Sequence, residues 1–119
     1  MKDKTGKLKV AIPLIDGALC MHFGHCGQFA LMDIDLGEKK ILARQDVTPP
    51  PHEPGVLPAW LGELGVGMIL AGGMGQRAQS LFTAQNIEVM VGLPSEAPEA
   101  LIARLFDGTL KSGANVCDH

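Results

Sequence analysis

Apolar residues along the chain follow strand-like spacing in its first part and a mixture of strand-like and helix-like spacing afterwards. Short alternating or continuous apolar runs predict five strands, at 7–14, 29–35, 40–47, 67–71 and 87–91. Apolar residues at helical spacing predict three helices, at 56–64, 76–85 and 96–106. The predicted order is β-β-β-α-β-α-β-α. An early hairpin followed by helical crossovers indicates a mixed α/β sheet with an antiparallel edge.

Glycine, proline and small polar residues mark the ends of these elements. The segment 15–27 and the proline-rich segment 48–55 are predicted loops, the second one stiff and extended. Ser95 is the expected N-cap of the third helix, with Pro98 in its first turn and Gly108 just after its end. We therefore predict a single domain over residues 1–119, with a core at about 8–108 and an irregular tail at 109–119.

Composition narrows the class of protein. Hydrophobic residues make up 46% of the 119 residues and charged residues 19%, which suits one ordered domain. The net charge is −3 and lysine and arginine form no cluster, so we expect no nucleic-acid binding. We expect no membrane span and no signal segment, and therefore a cytoplasmic protein. In that compartment the three cysteines would stay reduced and available as ligands.

Cysteine and histidine cluster in two short segments. One is Cys20-Met-His22-Phe-Gly-His25-Cys26, which we call the Cys/His loop, and the other is the tail sequence Cys117-Asp-His119. These side chains bind zinc, copper(I), iron and iron–sulfur units. Each one alone is as readily a structural residue, but their clustering favours a metal site. We expect both segments to share that site, with the candidate ligands Cys20, His22, His25, Cys26, Cys117 and His119.

A second candidate feature is the sequence Ala71-Gly72-Gly73-Met74-Gly75-Gln76-Arg77 at a predicted strand-to-helix junction. We call residues 72–75 the glycine junction. Glycines there allow backbone N–H groups to face an anion at a helix N-terminus, and Arg77 adds a guanidinium. Replacing Gly73 or Gly75 by valine is expected to block these donors and to require an unfavourable φ. The simpler alternative is a tight turn with no ligand.

His52 is a third candidate, since the prolines around it could hold one imidazole over a site. An exposed loop histidine is an equally good interpretation. Asp16 is expected to form a turn rather than to act as a base. Ser80 and Ser95 lack the sequence context of a hydrolase nucleophile.

Taken in order, these motifs resemble the dinitrogenase iron–molybdenum cofactor-binding family, which includes nitrogenase cofactor carriers and the orange protein of sulfate-reducing bacteria. The matching features are the Val-Ala-Ile-Pro strand, His-Phe-Gly, His-x-Pro-Gly, Gly-Gly-Met-Gly and the Cys-x-His tail. The resemblance implies a ribonuclease H-like α/β fold with a mixed five-stranded sheet and no nuclease activity. It also implies a molybdenum-containing sulfide cluster, either Fe-Mo-S or Mo-Cu-S. Candidate cofactor-binding residues are then His22, Phe23, Gly24, His52, Gly72, Gly73, Met74, Gly75 and Arg77.

The resulting functional expectation is a non-catalytic carrier or scaffold of such a cluster, with a protein partner that donates or receives it. Cys20, His25 and Cys26 go beyond the family's usual loop, which leaves open thiolate ligation or holding by backbone N–H groups and Arg77. One alternative is a zinc- or copper-binding regulatory module using the same residues. Another is a small redox or transferase enzyme.

Overall fold

The computed structural model describes residues 6–20, 27–50 and 55–110 of the protein. These residues form a single mixed sheet with helices on both faces. The elements are β1 (Lys7–Ile15), β2 (Ala18–Leu19), β3 (Gln28–Asp35), β4 (Lys40–Val47), α1 (Val56–Glu63), β5 (Met68–Leu70), α2 (Gln76–Ala84), β6 (Glu88–Met90) and α3 (Pro98–Asp107). None of the three helices in this part of the chain is long and apolar enough to cross a membrane.

The sheet has the strand order β4-β3-β1-β5-β6. Strand β1 is antiparallel to β3 and parallel to β5, while β3 is antiparallel to β4 and β5 is parallel to β6. This confirms the predicted mixed α/β fold with an antiparallel edge. It also adds a sixth strand to the five expected, because β2 pairs with the end of β1 inside a segment predicted as loop.

The additional strand forms because residues 14–19 make a tight hairpin. Asp16 and Gly17 occupy its turn with φ values of 53° and 82°. Positive φ at both central residues is the geometry of a type I′ turn, for which Asp-Gly is a preferred sequence. The expectation that Asp16 forms a turn is therefore correct, although the strand that follows it was not predicted.

Two apolar layers lie on the two faces of the sheet. Val10 and Ile12 of β1 belong to the layer that contains Leu101 and Ile102 of α3. Alternate residues belong to the other layer, which is completed by α1 and α2. Buried members of this second layer include Ala11, Phe29, Leu57, Leu61 and Phe82. The three residues of β5 are all buried, as expected for a central strand covered on both faces.

Helix α3 ends as predicted but begins differently. Gly108 terminates it in the left-handed region with φ 75°, and Pro98 lies in its first turn. The prediction of Ser95 as N-cap is wrong, because the cap position is Ala97 and no side chain caps the helix there. The Ser95 hydroxyl instead donates a hydrogen bond to the carbonyl of Leu19, at 2.8 Å.

Candidate functional site

The loops that carry candidate chemistry all lie at one end of the strands. This end is formed by the carboxyl ends of the parallel strands, and we call it the site edge. Strands β1, β5 and β6 run parallel and end at this edge. The antiparallel partner β3 begins there, since Leu14 pairs with Gln28, and β4 ends there, since Val47 pairs with Phe29. Ligands of open α/β sheets bind at the carboxyl ends of the parallel strands. The segments that start or finish at this edge are 16–27, 48–55, 71–75 and 91–97.

The Cys/His loop is attached to β1 at both of its ends. The Cys20 N–H donates to the carbonyl of Pro13 at 2.8 Å, and the Gly27 N–H donates to the carbonyl of Leu14 at 3.0 Å. Because Pro13 and Leu14 are neighbours, the entry and exit of the loop lie side by side at the sheet edge.

Cys20 is 2% exposed. This burial suits a small apolar side chain. It also suits a thiol that faces inward at the base of the loop.

The glycine junction directly follows β5 and is largely buried. Its register with the next loop continues the β5–β6 pairing, since the Gly92 N–H donates to the carbonyl of Gly72 at 2.7 Å. Met74 is 1% exposed and packs in the layer under α1 and α2. Its carbonyl accepts a hydrogen bond from the side chain of Gln79 at 2.8 Å. Met74 therefore acts as an anchor that holds the junction against the core.

Gly75 does not have the backbone conformation that the sequence suggested. Its φ is −64° and its ψ is 155°, values that any L-residue adopts. A Cβ at this position would meet no atom within 4 Å. The expectation of an unfavourable φ at Gly75 is thus wrong.

The N-terminus of α2 is electropositive. The first backbone bond of the helix joins the Gln79 N–H to the carbonyl of Gly75, so the N–H groups of residues 76–78 have no acceptor within the helix. No side chain of the described residues caps this end, and its first turn contains no acidic residue. Arg77 is exposed in that turn and forms no ion pair within residues 6–20, 27–50 and 55–110. An anion at this edge would meet N–H donors and a guanidinium.

An ion-pair network joins the first turn of α3 to β4, a few residues before β4 ends at Val47. Arg44 binds the carboxylates of Asp46 and Glu99. These hydrogen bonds raise the pKa of Arg44, and the bond from Arg44 lowers the pKa of Glu99, with a smaller contribution from a backbone hydrogen bond. The network links the start of α3 to the edge strand β4 through side chains that are largely solvent-exposed.

Several predicted site residues lie outside the described residues, and their roles stay predictions. They are His22, Phe23, Gly24, His25, Cys26, His52, Cys117 and His119. The described residues contain no group of three or more histidine, cysteine and acidic side chains that could hold a metal ion. All four histidines and two of the three cysteines fall outside that range, so the predicted ligand set is not tested by it.

Chain length permits the tail to reach the site edge. The ten residues of α3 rise about 15 Å away from this edge. From Leu110, seven further residues to Cys117 span at most about 25 Å when extended. The expectation that the tail shares the site is therefore compatible with the fold and stays a prediction.

The structure defines an α/β domain whose chemically distinctive loops meet at the carboxyl edge of a mixed sheet. Residues 6–108 match the model of the dinitrogenase iron-molybdenum cofactor family. The chain belongs to this family. Membership of this family supports metal-cluster binding as the role of the chain.

Related proteins agree with this assignment. An uncharacterized protein of Methanocaldococcus jannaschii is 30% identical over 89 residues, which cover 72% of this chain and 75% of the relative. The crystal structure of PH0822 superimposes with a TM-score of 0.79 at 29% identity, covering 88% of this chain and 94% of that one. The apo form of the orange protein from Desulfovibrio gigas has a TM-score of 0.70 at 22% identity, with coverages of 97% and 98%. This last likeness shows a shared fold.

Proposed function

We propose that the chain binds a molybdenum-containing metal–sulfur cluster, of the Fe-Mo-S or Mo-Cu-S type, and carries it or serves as its scaffold. The observation that carries the proposal is the uncapped N-terminus of α2, which opens at the sheet edge where the Cys/His loop begins and ends. The family's association with an iron–molybdenum cofactor supports the choice of metal. The apo form of a structural relative, the orange protein, supports a protein that exists with and without its cargo.

The chemistry of this edge suits an anionic sulfide cluster. Thiomolybdate units are negatively charged, and backbone N–H groups at a helix N-terminus stabilise negative charge. Arg77 in the same turn adds forked donors. Thiolate and imidazole groups of the Cys/His loop are ligands for copper and iron. We therefore propose mixed holding, with cysteine or histidine on the metal and backbone amides around the sulfides.

The proposed role is transport or assembly rather than turnover. The family is named for a cofactor and not for a reaction, and this supports a non-catalytic carrier. Such a carrier requires a protein partner that donates the cluster or receives it. A reducing cytoplasm would keep the thiols ready for ligation.

Metal analysis of protein purified without air tests the proposal. We expect molybdenum together with copper or iron, acid-labile sulfide, and visible absorption that is lost when the cluster is removed. Apo protein mixed with tetrathiomolybdate and copper(I) should regain the absorption. Protein that contains only zinc, has no visible absorption and takes up no thiomolybdate would refute the proposal and favour the zinc-binding regulatory module.

A further inference from the structure

One short segment connects the two halves of the candidate site. Residues 92–96, which we call the bridge, follow β6 and precede α3. At its start the bridge is bonded to the glycine junction and to the residue before it, since the Gly92 N–H donates to Gly72 at 2.7 Å and the Leu93 N–H donates to Ala71 at 3.3 Å. Leu93 is 1% exposed and belongs to the apolar layer under α3. The bridge is therefore fixed both to the junction and to the core.

At its other end the bridge holds the strand that leads into the Cys/His loop. The Leu19 N–H donates to the carbonyl of Glu96 at 3.0 Å. The Leu19 carbonyl accepts the hydroxyl of Ser95 at 2.8 Å. Both backbone polar groups of Leu19 are thus bound by consecutive bridge residues, and Leu19 itself is fully buried. Cys20 is the next residue along the chain.

The side chain of Ser95 has no structural role in capping α3, which begins at Pro98 without a side-chain cap. Its hydrogen bond to Leu19 joins positions 76 residues apart in sequence. Ser95 is also exposed, so its removal leaves no cavity in the core. These features connect the hydroxyl to the placement of Cys20, because its bond to Leu19 holds the residue just before Cys20. Removing the hydroxyl leaves the Leu19 carbonyl without this donor, so some stability is lost as well.

We propose that Ser95 is a positioning residue for the metal-cluster site. Its hydroxyl fixes the base of the Cys/His loop to the bridge, and the bridge fixes that base to the glycine junction. The position of Cys20 relative to the backbone N–H donors of the glycine junction is then set before the cluster arrives. This inference rests on the proposed function, because Cys20 and the glycine junction are taken as parts of one cluster site.

The test compares Ser95→Ala and Ser95→Thr with wild type, using full-length protein loaded with tetrathiomolybdate and copper(I). Loss of one neutral hydrogen bond corresponds to about a 2- to 10-fold change in an equilibrium constant. We expect Ser95→Ala to release the cluster about 2- to 10-fold faster into a chelator and to shift its visible circular dichroism. Ser95→Thr keeps the hydroxyl and should restore both. Ser80→Ala, at an exposed serine on α2, is the matched control and should behave as wild type.

A second measurement needs no cluster. Alkylation of apo protein, mapped by peptide mass spectrometry, should modify Cys20 faster in Ser95→Ala than in wild type, by a larger factor than the difference in their unfolding free energies accounts for. If wild type takes up no thiomolybdate, the proposed function fails, and the alkylation rates still decide whether Ser95 positions Cys20. If wild type loads but Ser95→Ala matches it in release, in circular dichroism and in Cys20 alkylation, the positioning role is overturned.

Discussion

Substitution of Gly75 by aspartate should change stability and cluster binding in opposite directions. Gly75 is the N-cap of α2, has an extended backbone suited to a capping side chain, and has open space around a Cβ. An aspartate cap improves on glycine by a few tenths of a kcal/mol. Its charge at the helix N-terminus adds about 0.3–1 kcal/mol. Reduced entropy of the unfolded chain adds about 0.4–1 kcal/mol. Apo protein should thus gain about 1–2 kcal/mol of unfolding free energy.

The same carboxylate should weaken binding of an anionic cluster. It would accept the N–H groups that the cluster needs and would place a negative charge next to it. Two unit charges about 5 Å apart repel by about 1 kcal/mol in water and about 3 kcal/mol at an effective dielectric constant of about 20. These energies correspond to about a 5- to 150-fold rise in Kd.

Urea unfolding of the apo protein and equilibrium loading with tetrathiomolybdate and copper(I) measure the two effects. Gly75→Asn is the matched control, because it offers a similar cap without the charge and should weaken binding less. Gly75→Ala adds only a methyl group in open space and should bind as wild type. An aspartate variant that is more stable yet binds the cluster as tightly as wild type would show that no anion lies at the N-terminus of α2.

Two further predictions concern charged side chains. Arg77→Ala should lower cluster retention and make the remaining retention less sensitive to salt. Lys40→Ala, at the opposite end of the sheet, is the control and should change neither property. Release rates of Arg77→Ala equal to those of wild type across a salt series would contradict this prediction. Glu99→Gln should lower the unfolding free energy by less than about 1 kcal/mol at pH 7, because the pair with Arg44 is largely solvent-exposed. Arg44 lowers the pKa of Glu99. The difference in unfolding free energy between wild type and Glu99→Gln should therefore be present above the usual glutamate pKa and vanish as pH falls through the lowered value. Urea titrations at several pH values measure it, with Glu88→Gln as control.

Patterns within a few neighbouring residues predicted those parts of the fold that depend on short-range interactions. The short apolar run that forms β5 is typical of a central strand covered on both faces, as the structure has it. Gly108 ends α3 because it adopts a left-handed conformation. The Asp16-Gly17 dipeptide is typical of a two-residue hairpin turn. The strand after this turn was missed because the whole segment 15–27 was interpreted as a loop.

Ser95 shows where local rules fail at the candidate site. A serine shortly before a helix satisfies the N-cap pattern, but its hydroxyl bonds to Leu19 instead, and no spacing in the sequence reveals an acceptor 76 positions away. Gly75 shows a related limit. A glycine-rich junction suggests unusual φ values, whereas here glycine contributes the absence of a capping side chain. The convergence of the loops follows from strand order, which the pattern of apolar residues does not specify.

The burial of Cys20 determines how its role as a ligand has to be tested. At 2% exposure, replacement by alanine removes one sulfur atom from the interior, at about 1 kcal/mol for a group of methylene size. Replacement by serine puts a hydroxyl in place of the thiol, and burying a hydroxyl costs more than burying a thiol, which behaves as a small apolar group. Serine at this position therefore perturbs the fold as well as the thiolate, and alanine is needed beside it.

Paired measurements on Cys20→Ala and Cys20→Ser separate the two roles. If Cys20 ligates the cluster, both variants should lose it to the same extent, because neither provides a thiolate, while the apo serine variant unfolds at lower urea. If Cys20 only packs, the alanine variant should keep the cluster, and any loss in the serine variant should follow its lower stability. Equal cluster content in wild type and Cys20→Ala, loaded side by side, would exclude obligatory ligation by Cys20 and leave Cys26 as the cysteine of the loop to be tested next.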